Sequence, residues 1–220
     1  MPIRLDERLT RIATLVDYGR VADVGCDHGK LGYYLIGTDR ASSVIATDIS
    51  EGSLKKAREL AYDNGVATLM QTRLGDGLSP IEDGEVDTVV IAGLGGDVIS
   101  GILAKAREDK KHFAHFVLSP NTHPEKVRRE LVNQAHRIVY DDVIECGGKH
   151  YTVIKTECGI EELDELQILF GAFYVSNESF VRLARQELEY KSGILEKHGD
   201  KELESRVELL KAALANVKGI

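Results

Sequence analysis

Val21-Ala22-Asp23-Val24-Gly25-Cys26-Asp27-His28-Gly29-Lys30-Leu31 is the stretch that decides the fold. A short apolar run closes on an acid, a glycine-spaced turn follows, and helix-compatible residues run from Leu31 to Ile36. That order predicts the first strand, turn and helix of a nucleotide-binding α/β domain, where the turn's N–H groups and the helix N-terminus meet the ligand. The spacing is wrong for a dinucleotide, because G-x-G-x-x-G would put a glycine at Asp27. Asp23 on the strand and Asp27 in the turn repel a pyrophosphate by several kT and attract a cation or an ammonium group. A sulfonium ligand carrying an amino-acid end suits this loop better.

Downstream, Ser43–Thr47 reads as a second strand closing in Asp48-Ile49-Ser50. Parallel strands put their carboxyl ends on one edge, so Asp48 is expected beside the glycine turn. It follows Asp23 by 25 residues, close to the roughly 20 between a phosphate turn and a ribose-binding acid. A helix capped at Ser50 follows, then a strand over Thr68–Arg73 and the turn Gly75-Asp76-Gly77, where Asp76 could accept from an adenine amino group. The fourth strand, Val86–Ile91, runs into Ala92-Gly93-Leu94-Gly95-Gly96, so that backbone lines the next piece of crevice. After a helix near Val98–Arg107 comes a fifth strand, Phe113–Leu118, ending in Ser119-Pro120-Asn121. A helix over Pro124–Ala135 and a hairpin built from Arg137–Glu145, Gly147-Gly148 and His150–Glu157 complete about seven strands.

At the chain's start, Leu5, Leu9, Ile12, Ala13 and Val16 have the spacing of an amphipathic helix with Arg4, Arg8 and Arg11 opposite. Those arginines, with Lys126, Arg128 and Arg129, form a candidate basic face. From residue 161 onward Glu, Lys, Leu and Arg dominate. Phe180, Leu183, Leu188, Ile194, Leu195, Leu203, Val207, Leu210 and Leu214 mark two helices broken at His198-Gly199-Asp200, an antiparallel pair of coiled-coil type. The domains expected are 1–159, nucleotide-binding, and 160–220, helical.

The 220 residues are 43% hydrophobic with formal net charge −8. That size buries one sizeable core and a small appendage. The acidic balance argues against a general nucleic-acid binder without excluding a local basic face. The start of the chain lacks a signal-peptide layout and no apolar stretch approaches ~20 residues, so a soluble, cytoplasmic protein with no membrane partner is expected. Cys26, Cys146 and Cys158 fit neither a disulfide framework nor a zinc site, and no metal constellation is expected.

A parallel sheet ended by an antiparallel hairpin, with an acidic glycine loop and a ribose acid, resembles the class I methyltransferases over Val21–Thr156. ERL near the N-terminus, DVGCDHGKL, GDGL, IAGLGG, LSPN and GGKHYTV together resemble the bacterial tRNA adenine-N1 methyltransferases that modify position 22, the TrmK type. This chain departs from that pattern at Cys26 (serine), Gly29-Lys30 (alanine-tyrosine), Gly32 (proline), Thr47-Asp48 (glycine-glutamate) and Ser119 (glutamine). The resemblance implies an α/β Rossmann-like fold, S-adenosyl-L-methionine as cofactor, and tRNA, in its D-arm region, as partner. Asp23, Gly25, Asp27, Gly29, Asp48, Ile49, Asp76, Gly77, Ala92, Gly93 and Leu94 would hold the cofactor. Arg8, Arg11, His28, Gly95, Gly96 and Asn121 would meet the substrate, with His28, Asn121 and Asp27 at the chemistry.

The reaction itself needs no strong protein nucleophile. Adenine N1 carries a free lone pair and can attack a sulfonium methyl placed in line at roughly 3–3.5 Å. His28 could stack on a base drawn from its helix, and Asn121 could pair with an adenine edge. Two alternatives stay open: methylation of a small molecule or protein, and a non-catalytic module that binds a nucleotide or sulfonium and recruits a partner through its helical pair. A dehydrogenase fits less well. Monomer and weak homodimer are both compatible with the sequence.

Overall fold

A computed structural model describes residues 4–196 and 200–217. His198 and Gly199 of the expected helical break lie outside the described residues. Seven strands form one sheet: β1 (Gly19–Val24), β2 (Ala41–Asp48), β3 (Met70–Leu74), β4 (Thr88–Ala92), β5 (His115–Ser119), β6 (His136–Cys146) and β7 (Lys149–Cys158). Their order is β3-β2-β1-β4-β5-β7-β6. The first five are parallel, and β7 runs antiparallel to both β5 and β6. The expected α/β Rossmann-like sheet with its terminal hairpin is therefore present.

Helices cover both faces, which is why the central strands read as nearly unbroken apolar runs. Side chains alternate between the faces along each strand. On one side α1 (Glu7–Leu15), α2 (Lys30–Gly37) and α3 (Glu51–Asp63) pack over Val21, Val44, Val90, Val117 and Val153. On the other, α4 (Gly96–Glu108) and α5 (Pro124–Asn133) pack over Ala22, Val24, Val89, Ile91, Phe116 and Leu118. Asp23 follows the Val21 parity and so faces α2. Ser50 caps α3, accepting from the Ser53 N–H at 3.3 Å, and Asp6 caps α1, accepting from Leu9 at 2.7 Å.

The carboxyl-terminal region departs from a simple helical pair. A short helix, α6 (Glu165–Phe170), and a 3-10 turn (Tyr174–Ser176) precede α7 (Glu178–Leu195) and α8 (Lys201–Asn216). Asp164 and Gln167 make a reciprocal capping box on α6, and Gly171 ends it with φ +124°. Asn177 then opens α7, accepting from the Phe180 N–H at 2.9 Å. Tyr174, Phe180, Val181, Ala184, Leu210 and Ala213 form a separate small core between these elements. Among the described residues, no helix is long and apolar enough to cross a membrane.

Candidate active site

The strand order reverses between β1 and β4, and ligand crevices of open α/β sheets lie at such a switch point. The turn after β1 is fastened to β2 by two amides: Gly25 and Cys26 both donate to the Thr47 carbonyl, at 2.8 and 3.0 Å. Gly25 takes φ +69° and Asp27 φ +51°. Asp is among the few residues that tolerate this region. Asp48 receives the Asp27 N–H on Oδ2 at 3.1 Å and the Ser50 N–H on Oδ1 at 2.8 Å. A carboxylate accepts about four hydrogen bonds, so Asp48 is fixed in place with acceptor capacity left for two hydroxyls.

Asp23 is 5% exposed and takes the Gly32 N–H at 3.2 Å. Burial pushes its carboxyl up to about 7, against the Gly32 hydrogen bond, and the negative charge of Asp48 adds to the rise. A buried acid that has no cation partner among the described residues, beside a second acid, is a floor suited to a positively charged ligand. Cys26 is buried too, and burial, with the charges of Asp23 and Asp48, raises its thiol well above the ordinary range, which disfavours the thiolate. Gly29 does not offer a free donor as expected of a ligand-binding loop residue. Its N–H bonds to the Cys26 carbonyl at 2.8 Å, and a side chain there would overlap Met70 Cε and Ala57 Cβ. It is a glycine because α3 lies against it.

Beyond Asp48, Ile49 is 75% exposed, an apolar side chain at the mouth that the core does not account for. Asp76 is exposed in the turn after β3, and Gly77 (φ +56°) is pressed against Ile102, whose Cγ1 would lie 2.8 Å from a Cβ. A cavity of about 230 Å³ opens between Asp76–Ser79 and the α4 residues Val98, Gly101 and Ile102. From β4, Leu94 reaches back toward the first turn, 3.7 Å from where a Cβ on Gly25 would stand. Asp23, Gly25, Asp27, Asp48, Ile49, Asp76, Gly77, Ala92, Gly93 and Leu94 thus lie along one edge of the sheet.

The β4 and β5 loops are stitched together. The Gly93 N–H donates to the Ser119 carbonyl at 3.2 Å, Asn121 Nδ2 donates to the Gly93 carbonyl at 2.7 Å, and the Asn121 N–H donates to the Leu94 carbonyl at 2.8 Å. One amide hydrogen of Asn121 is therefore occupied; among the described residues Oδ1 and the second hydrogen have no partner. Gly96 does not line this crevice. It is buried, and a side chain there would overlap the carbonyls of Thr122 and His123. Gly95 packs on Thr122 Oγ1 in the same way, at 3.1 Å from a Cβ position.

His28 is turned otherwise than expected. Its Nε2 lies 3.0 Å from Lys56 Nζ on α3 and 3.4 Å from Asp27 Oδ1. None of these partners belongs to the β4 or β5 loops that carry Asn121. Lys56, from the α3 side, and Asp27 thus hold the ring through the same nitrogen. Lys56 is a neighbour that no sequence pattern signalled.

The expected basic face is interrupted, with Arg128 withdrawn from it and its neighbours engaged by other side chains. Arg128 is buried and paired with Asp141 at 2.7 Å, with 3% and 2% of their side chains exposed. Arg129 pairs with Glu165, and Lys126 and His123 both bond Asp97. Arg11 donates to the Tyr140 hydroxyl at 2.9 Å while lying over its ring, and Arg8 lies over the Tyr151 ring with its Cζ 5.1 Å from the centroid. Both arginines are thus applied to the hairpin, while Arg4 is exposed.

Residues 5–154 match the family model described as a methyltransferase domain. The tRNA (adenine(22)-N(1))-methyltransferase of Bacillus subtilis (strain 168) is 31% identical over 232 aligned positions, covering 96% of this chain and 98% of that protein. The crystal structure of the B. subtilis tRNA methyltransferase TrmK superposes with a TM-score of 0.82 at 27% identity, covering 98% of this chain and 97% of that one. A Streptococcus pneumoniae protein solved in complex with S-adenosyl-L-methionine superposes with a TM-score of 0.86 at 28% identity, covering 96% of this chain and all of that one (100%).

Proposed function

Because the chain belongs to the bacterial tRNA (adenine-N1) methyltransferases of the class I fold, we propose that the crevice between β1 and β4 is where it methylates N1 of adenine 22 in tRNA. The protein is an S-adenosylmethionine-dependent methyltransferase. The observation that carries the assignment of the crevice is the acidic glycine turn tied to Asp48 across the switch point.

When bound, S-adenosylmethionine supplies an electrophilic methyl on a sulfonium. Asp48 is assigned to the ribose hydroxyls, Ile49 to the apolar face of the donor's adenine, and Asp76 to its amino group. The turn from Gly25 through Asp27, over the buried Asp23, takes the positively charged amino-acid end, and Ala92, Gly93 and Leu94 close the pocket from β4. On the substrate side, Asn121 pairs with the target adenine through its free amide groups. His28, held by Lys56, steadies the turn and the base that enters over it. N1 forms the new bond to carbon as the carbon–sulfur bond breaks, so no side chain has to remove a proton. The product ring becomes cationic, and the Asp27 carboxylate, with 76% of its side chain exposed, stabilises it.

The unit formed by 1–159 is assigned to donor binding and catalysis, and the helical unit 160–220 to packing or substrate contact. The D-arm region would enter at the mouth beside Asn121. A monomer or weak homodimer working in the cytoplasm, where tRNA is found, completes the reading. Transfer of labelled methyl from the donor to total tRNA, compared with a protein and metabolite panel, tests it. Labelling of tRNA alone is expected, and labelling of another class in its place contradicts it.

A further inference from the structure

Arg8 has an environment that the arginines of a phosphate-tracking outer surface do not have. Its guanidinium sits over Tyr151 and against the turn after β4: a Cβ on Gly93 would stand 3.5 Å from Nη1 and 3.6 Å from Nη2. The guanidinium thus lies in van der Waals reach of position 93. Gly93 (φ +93°) shares its carbonyl with Asn121 and its N–H with the Ser119 carbonyl, so Arg8 reaches the substrate end of the crevice from α1.

Among the described residues, Arg8 has no carboxylate partner, although the chain carries a net charge of −8. Its Nη1 and the Ser119 hydroxyl are the buried side-chain polar atoms without a hydrogen-bond partner there; Arg8 contacts Gly93, and the Ser119 backbone carbonyl accepts the Gly93 N–H. A charged donor left without an acceptor costs more than a neutral one, and such groups are kept where a function uses them. An aromatic face attracts the cation without using its N–H groups. The fork is therefore oriented by Tyr151 and free of an acceptor.

Resting on the methyltransferase reading, we propose that Arg8 is an oxyanion-binding residue of the crevice, completed when a carboxylate or phosphate oxygen meets its guanidinium. The reactants bring anionic oxygens from two sources: the carboxylate of the donor's amino-acid end and the phosphates flanking the target nucleotide. Planar oxyanions suit the guanidinium fork better than an ammonium, so Lys is an incomplete substitute.

Arg8→Gln and Arg8→Lys separate the sources. Calorimetry would follow S-adenosylhomocysteine and methylthioadenosine, which lacks the amino-acid end, and filter binding would follow an unmodified tRNA with adenine at position 22. If the donor carboxylate is the ligand, Arg8→Gln weakens S-adenosylhomocysteine ten-fold or more and leaves methylthioadenosine unchanged. If a nucleotide phosphate is the ligand, tRNA binding falls ten-fold or more and S-adenosylhomocysteine is unaffected. In either case Arg8→Lys recovers part of the loss. Binding of all three ligands within two-fold of the parent protein, or a uniform loss of all three that follows a lowered melting temperature, overturns the proposal. A parent protein that neither binds S-adenosylhomocysteine nor methylates tRNA would instead overturn the methyltransferase reading.

Discussion

Asp48 Oδ2 accepts the backbone N–H of Asp27 at 3.1 Å, so the acid that ends β2 holds the turn that ends β1. This bond fixes a positive-φ residue and the proposed ribose acceptor at once. Asp48→Ala removes both. Charge-assisted hydrogen bonds contribute about 1.5–3 kcal/mol each, so S-adenosylhomocysteine affinity is expected to fall at least ten-fold with the fold intact. Calorimetry reads this directly, and an unchanged affinity would detach Asp48 from the donor.

His28 and Lys56 are expected to act together. His28→Ala lowers turnover ten-fold or more, which corresponds to about 1.4 kcal/mol of barrier, while donor affinity changes much less. Lys56→Ala releases the ring and reproduces part of the loss, and the double variant is no worse than His28→Ala alone. Single-turnover methylation at saturating donor checks the coupling; additive losses would show that the Lys56 contact is incidental.

Asp23 gives the protein a pH dependence of definite sign. Its carboxyl sits near 7 when folded against an ordinary 3.8, so between those values the folded state holds more protons than the unfolded one. Stability of the donor-free protein is therefore expected to decline as pH rises through that window, by at most about 1.4 kcal/mol per pH unit from this group. Asp23→Asn keeps an acceptor for the Gly32 N–H and removes the charge. Its melting temperature at pH 8 should exceed that of the parent, with a flatter profile between pH 4 and 7. An identical profile would mean that Asp23 titrates normally.

Arg128 is placed to serve the fold, and its loss is expected to leave tRNA binding alone. It pairs with Asp141 and also donates to the Ile168 carbonyl at 3.0 Å, while Asp141 accepts the Ala172 N–H at 2.8 Å, so the pair clamps the α6 segment to the sheet. Arg128→Met strands a buried carboxylate, at about 3–5 kcal/mol. Urea unfolding is expected to show that loss, and tRNA affinity of the folded fraction is expected to stay within two-fold. A stable Arg128→Met protein with weakened tRNA binding would restore the basic face.

Strand positions were legible because both sheet faces are covered, which writes each central strand as an apolar run ending in a polar turn. Asp48 and Asp76 could be placed by the same rule, since parallel strands align their carboxyl ends. The residues that misled are those whose partners are distant in the chain. Arg128 reads as a solvated helix position until Asp141 on β6 is brought against it. His28 reads as free until Lys56 on α3 reaches its Nε2. Gly29 and Gly96 read as ligand-loop glycines, yet α3 and the loop after β5 leave no room for a side chain at either. The α6 segment was legible locally, through the Asp164-to-Gln167 capping box and Gly171, but was hidden in a stretch whose composition suggested two uninterrupted helices.

The central claim is tested most directly by nucleoside mass spectrometry of a single unmodified tRNA transcript after incubation with the protein and S-adenosylmethionine. The expected result is one 1-methyladenosine per transcript, located at position 22 and absent when that adenine is replaced by guanine. A different methylated base, or 1-methyladenosine that persists after the replacement, would contradict it.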